Sequence, residues 1–279
     1  MFRISPDERQ VVVQLRRDVD LWLLDTTRGF PRRFTSGPGG QRTHPIWSPD
    51  GHTILFGRRG ATETTWTIYR KVASGTHDEE PVIQGTDFAQ PTDWSGDGRW
   101  IIDYETDPKN RFDLWILPVT PDGKPRQDDK PRPYARTPFN ERFGRFSPGP
   151  SPRWVAYQSD ESGQNEIYLD AFPEPRSKIR ISAAGGTFPQ WRGDGRELFY
   201  LSLDFKLMAV TLTQTGESIE PSPPRALFAI SAPGNIVSPY EASRDGQRFL
   251  VLSAQEETSQ SLPVIVNWPA LLKKAAGAP

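Results

Sequence analysis

The chain has no cysteine, three histidines and two methionines. Without cysteine there is no disulfide framework, no thiolate nucleophile and no thiolate metal site. This absence does not fix a compartment. His44, His52 and His77 form no His-x-His pair and no His-Glu-x-x-His motif. A zinc centre therefore lacks support, and neither a metal nor a cofactor is expected. An excess of one charge is also missing: 34 Lys and Arg face 35 Asp and Glu. That balance leaves no basic footprint for nucleic acid or an anionic membrane. No apolar run approaches the roughly 20 residues that span a bilayer, so no membrane insertion by this chain is expected. Met1-Phe2-Arg3-Ile4 leads straight into the first turn, so no signal peptide is expected. Neither a Gly-x-Ser-x-Gly elbow nor a glycine-rich phosphate loop occurs, which argues against an α/β-hydrolase or nucleotide site.

What the chain does contain is repetition. Trp47-Ser48-Pro49-Asp50-Gly51, Trp94-Ser95-Gly96-Asp97-Gly98 and Trp191-Arg192-Gly193-Asp194-Gly195 are copies of one turn. Ala242-Ser243-Arg244-Asp245-Gly246 follows the same plan, and Phe146-Ser147-Pro148-Gly149-Pro150 and Ile4-Ser5-Pro6-Asp7-Glu8 are degraded copies. Their spacing of 43 to 52 residues is that of a propeller blade. Each turn follows a short inner strand and precedes a hydrophobic second strand such as Ile54-Leu55-Phe56. An alternating third strand follows, as in Trp66 to Val72, and then an outer strand, as in Glu80 to Gln84. Plentiful Gly and Pro with nine Trp suit such an all-β repeat.

The pattern predicts an all-β fold: a six-bladed β-propeller with mostly four-stranded blades, the last lacking an evident fourth strand. One domain spans 1–279, with 269–279 as a poorly ordered tail. Two polar, proline-rich excursions, Thr120 to Thr137 and Thr215 to Pro224, read as outer loops, the first too polar to pack. Closure is the weak point. Phe2 to Ile4 serves as the first blade's own inner strand, so the ring closes by blade-to-blade packing alone, or the chain is part of a longer polypeptide.

The repeat resembles the propeller of the periplasmic protein TolB. It is more similar to the TolB-like (WD40-like) modules that follow serine/threonine kinase or winged-helix domains in bacterial, especially acidobacterial, proteins. The stretches that carry the likeness are Asp113-Leu114-Trp115-Ile116-Leu117-Pro118, Arg192 to Leu201, Lys206-Leu207-Met208-Ala209-Val210, Asp245 to Leu250 and Val264-Ile265-Val266-Asn267-Trp268. The resemblance implies a sensing or protein-binding module of a larger signalling protein, placed in the periplasm. It also implies a possible covalent link to a kinase or winged-helix domain, although this chain contains neither.

Most of the conspicuous residues read as structural. Asp50, Asp97, Asp194 and Asp245 cap their own turns, and Trp47, Trp94 and Trp191 fill the space between sheets. The repeat stops repeating at the residue before each inner-strand aromatic or its equivalent: Ile46, Asp93, Arg145, Gln190 and Glu241. With His44, Glu141 and Arg142 nearby, these polar side chains mark the mouth of the central channel as the candidate ligand-binding site. The same charges could instead form inter-blade ion pairs. A channel enzyme, a hydrolase or lyase, would need Asp93, Glu241 and Arg145 around one reacting atom. A calcium site on Asp93, Asn140, Glu141 and Glu241 is a minor variant. The expected role is non-catalytic binding of a protein or small molecule, with no catalytic residues assigned.

Overall fold

In the computed structural model, the described residues are 1–15, 19–37, 40–84, 89–107, 111–127, 129–216, 218–231 and 239–252. The chain is an all-β propeller of five four-stranded blades and a final sheet with two described strands. Blade 1 pairs Phe2–Ile4, Gln10–Gln14, Leu21–Asp25 and Pro31–Arg33 in order from the axis outward. Blade 2 is built from Gln41–Trp47, Thr53–Arg59, Thr67–Val72 and Glu80–Gln84. Blade 3 uses Ala89–Trp94, Trp100–Asp107, Arg111–Pro118 and Arg132–Ala135. Blade 4 uses Glu141–Phe146, Trp154–Ser159, Glu166–Ala171 and Ile179–Arg180. Blade 5 has Thr187–Trp191, Glu197–Leu201, Lys206–Thr215 and Arg225–Ala229. Tyr240–Ala242 and Phe249–Val251 form the sixth sheet. The expected third strand, Leu262 to Trp268, and the tail 269–279 lie outside the described residues.

The two excursions correct the sequence reading. Thr120 to Thr137 is not simply an outer loop, because its end, Arg132–Ala135, is the fourth strand of blade 3. The excursion also packs: Gly123 lies under Trp94, and a Cβ there would come within 2.6 Å of the indole. In the second excursion, Ser218–Pro221 folds back on the extension of Lys206–Thr215 as a hairpin. Ile219 from this hairpin joins the core between blades 4 and 5. Composition suggested loops because only a few apolar anchors carry the packing.

Each turn is a small closed network. Ser48 Oγ donates to Asp50 (2.5 Å) and accepts from Thr53 N (2.9 Å), while Asp50 accepts from His52 N (2.9 Å). The same bonds recur in the Ser5, Ser95 and Ser243 turns. The turn aspartates are thus caps, which leaves the backbone donors satisfied. Gly51, Gly98, Gly195 and Gly246 take φ of 69 to 73° at the last turn position. Glu8 stands at this position in the first copy and takes φ 59°, an uncommon region for a residue with a Cβ.

The tryptophans belong to the inter-blade cores. Trp47 Nε1 donates across the interface to Arg3 O (3.2 Å), and Trp191 Nε1 donates to Arg145 O (3.1 Å). Closure needs no shared strand among the described residues. Phe2, Val11 and Val13 pack with Leu250 and Leu252 between the sixth sheet and blade 1. Glu8 accepts from Arg244 N (2.7 Å) and pairs with Arg248 (2.5 Å) on the turn face.

Candidate functional site at the channel

The inner strands run toward the turn face, so the candidate residues fall at two levels. Near the turns lie the residues that precede each inner-strand aromatic or its equivalent. Ile46 is apolar and packs in the core. The other four meet around the axis, together with Arg3, the equivalent residue of the first copy. Glu241 is the hub: it pairs with Arg3, approaches Arg145 at 3.5 Å and accepts from Gln190 Nε2 at 3.0 Å. Arg145 is 3.6 Å from Asp93, and Asp93 accepts from Phe146 N at 2.8 Å. Gln190 also donates to Tyr240 O and accepts from Ala242 N. Five blades are tied together by two cations, two carboxylates and an amide.

This ring is buried. The Arg3 and Glu241 side chains are 6% and 11% exposed. Burial, with repulsion from Arg145, brings the Arg3 pKa down to about 10, while Glu241 opposes the shift. Burial raises Asp93, against the pull of Arg145. Arg3 therefore remains charged near neutral pH, and the ring is formally balanced. The arrangement matches the inter-blade ion-pair pattern weighed above.

Arg3 was missing from the sequence assignment although it precedes Ile4 at the same offset as the other ring members. The first turn is a degraded copy with no aromatic, so the alignment that exposes Arg3 has to be made on Ser5 instead.

The other three candidates lie farther from the turns. His44 takes φ 52° in a bulge of the blade 2 inner strand, and Phe143 and Phe188 occupy the matching bulges of blades 4 and 5. Such a bulge re-aims the side chain. His44 is bonded at both ring nitrogens, to Thr43 Oγ1 (3.0 Å) and Tyr104 OH (2.9 Å). Burial pushes its pKa down to about 3, and the nearby cations Arg3 and Arg142 add to the effect. It is a neutral imidazole at physiological pH. Glu141 is buried, accepts from Thr137 Oγ1 (2.5 Å) and lies 3.4 Å from Ser159 Oγ; burial raises its pKa. The Arg142 guanidinium lies over Phe112, 3.5 Å from the ring centroid.

The structure therefore brings Asp93, Arg145, Gln190 and Glu241 together with Arg3, and separates them from Glu141 and Arg142. The oxygen ligands suggested for calcium are divided between these levels, and Asn140 is held by Asp160. Among the described residues no group of three His, Cys, Asp or Glu side chains could hold a metal ion.

No family model matches the chain, and no curated protein matches its sequence. Solved structures do. The TolB-assigned protein of Agrobacterium tumefaciens superposes with a TM-score of 0.63 at 18% identity, over 82% of this chain and 80% of that one. TolB from Acinetobacter baumannii gives 0.62 at 14% identity, over 91% of this chain and 57% of that one. Oligogalacturonate lyase from Vibrio parahaemolyticus gives 0.59 at 14% identity, over 90% and 73%. The fold is a β-propeller resembling TolB-like proteins, and the same fold carries a lyase.

Proposed function

We propose that this chain is a non-catalytic binding or sensor propeller. In this reading 1–279 is one domain of a larger extracytoplasmic signalling protein, linked to a kinase or winged-helix domain. It holds a protein or small-molecule ligand at the channel mouth, on the face away from the Asp-Gly turns. His44, Glu141 and Arg142 lie on that side, and Asp93, Arg145, Gln190 and Glu241 form the floor beneath.

One observation carries the preference for binding over catalysis. The carboxylates nearest the axis are engaged by Arg3, Arg145, Gln190 and the Phe146 amide. His44 uses both nitrogens on neighbouring groups. Proton transfer needs a group within reach of the substrate at a suitable pKa, and the described residues at the axis are occupied in holding blades together. The lyase neighbour keeps a second reading in play, a channel hydrolase or lyase using Asp93, Glu241 and Arg145.

The test is a thermal-shift screen of small acids, sugars and peptides, run beside turnover assays with oligogalacturonate and chromogenic esters. The binding reading expects ligand-induced shifts that Glu141→Gln or Arg142→Gln removes, without turnover. Turnover abolished by Asp93→Asn with the fold intact would install the enzyme reading instead.

A further inference from the structure

Arg142 differs from the other buried or half-buried arginines on the inner strands. Arg3 has Glu241, Arg42 has Asp20 and Glu79, and Arg145 has Asp93 and Glu241. Arg142 is half-buried and makes no hydrogen bond or ion pair with a described residue. Its Nε is shut off from water with no acceptor. Burial lowers its pKa. The charge of Asp160 acts on Arg142, but its two oxygens are directed at Asn140, accepting from it at 2.8 and 2.6 Å.

Its surroundings complete a cradle. Gln158 stands directly opposite Arg142 in the register of blade 4, so the two share a sheet face. Gln158 is 5% exposed, and its Oε1 is buried without a donor. Phe112 and Tyr104 of blade 3 form an aromatic floor 3.5 and 5.9 Å from the guanidinium. Glu141, the adjacent strand residue, projects to the opposite face and is bonded to Thr137. The same offset in blade 3 is occupied by Gln90, an uncharged residue that fits the slot beside Gly57. A charge is therefore not required by the blade architecture at this position.

We infer that Arg142 and Gln158 form a subsite for a carboxylate that carries an N–H or O–H donor beside it. The guanidinium fork matches a carboxylate in a bidentate geometry, and its contact with the Phe112 ring holds it in place. Gln158 Oε1 accepts the neighbouring donor. A peptide C-terminus and an α-hydroxy acid share this chemistry. The inference rests on the channel-mouth reading and gives it a ligand class.

N-Acetylglycine, glycolate, acetate and the uncharged N-acetylglycinamide serve as probes, read by the Arg142 Nε–H signal in 1H–15N spectra. N-Acetylglycine and glycolate are expected to shift that signal saturably, at about 10 mM for such small ligands. Whichever binds more tightly identifies the source, peptide end or hydroxy acid. Acetate should bind several-fold more weakly and N-acetylglycinamide not at all. Arg142→Gln should weaken N-acetylglycine at least tenfold, read by calorimetry, while its urea midpoint stays at or above the parent value. Gln158→Leu should erase the preference over acetate and keep acetate binding.

Absence of a saturable shift with every carboxylate overturns the subsite, as does unchanged affinity in Arg142→Gln. A large fall in its urea midpoint would make Arg142 a structural clamp and overturns the subsite too. Equal binding of N-acetylglycinamide at the same signals refutes the carboxylate subsite while leaving the channel-mouth reading standing.

Discussion

Glu241→Gln is the sharpest perturbation of this fold, because one carboxylate serves three donors from three other blades. In the parent ring two cations meet two carboxylates. The substitution keeps the shape and removes one charge. Arg145 retains Asp93 at 3.6 Å, while Arg3 loses the Glu241 carboxylate and keeps the Thr92 carbonyl at 3.4 Å. A guanidinium with 6% side-chain exposure then lacks its direct anion. Removing one partner of a buried pair costs about 3–5 kcal/mol, and the amide oxygen of Gln keeps part of the hydrogen bonding, so the low end, about 3 kcal/mol, applies. For a domain of this size each kcal/mol moves the thermal midpoint by about 2–4 °C, which gives a fall of about 6–12 °C.

The assay is urea and thermal unfolding followed by tryptophan fluorescence, near neutral pH where Arg3 is charged. A double-mutant cycle with Arg3→Met isolates the pair. Arg3→Met combined with Glu241→Gln should recover much of the loss, because the stranded charge is gone. A single Glu241→Gln within about 0.5 kcal/mol of the parent, the range of ordinary surface changes, would refute the claim that this ring ties the blades together.

Three further outcomes follow from the geometry. Glu8→Gly relieves a positive φ, a gain of about 1 kcal/mol, and removes the closure contacts to Arg244 and Arg248. Unfolding at low salt should show little change, but at about 1 M salt, where the exposed pair is screened, the variant should be the more stable; the reverse order would sink this account. Asp103 is buried beside Glu105, and burial first, then that neighbour, raises its pKa well above normal. The native state then binds more protons than the unfolded one, so Asp103 costs stability as pH rises above its unfolded value of about 3.9. Asp103→Asn should stabilise the protein at neutral pH, with the difference vanishing below about pH 4 in denaturant titrations; a pH-independent difference would contradict the shift. Finally, a Cβ on Gly57 would lie 2.3 Å from Gln90 Oε1. Gly57→Ala should destabilise by about 1–3 kcal/mol through overpacking, and Gln90→Ser in the same chain should restore most of it in the same unfolding assay.

The sequence made the blade count and strand order legible because each turn carries its own conformational signature. Ser-x-Asp-Gly closes locally, and Gly at positive φ needs no tertiary context. Glu166–Ala171 and Glu197–Leu201 were readable to the residue for that reason. Arg132–Ala135 was not, since an outer strand is held by backbone pairing and needs little apolar content. The ring members could be listed but not paired. Which of Arg145's neighbours is its partner depends on the order of blades around the axis, and Arg3 and Glu241 are 238 residues apart in the chain. Gln158 and Phe112 gave no signal, because what makes them notable is the register that sets Gln158 opposite Arg142 and the ring under its guanidinium.

The two faces differ in how completely their polar atoms are satisfied. On the turn face, serine, aspartate and backbone amides close four near-identical networks, and exposed carboxylates such as Asp50 and Asp245 already accept two bonds each. At those Oδ1 atoms a ligand would have to compete with existing bonds. At the far ends of the strands, Arg142 Nε and Gln158 Oε1 are buried and unmatched on one face of blade 4. Native interiors leave few such groups, because each costs about 1–3 kcal/mol. A face holding two of them side by side is stabilised by whatever supplies the missing donor and acceptor. Function on this propeller is therefore expected where the repeat is least satisfied, and the regular turns mark the opposite side.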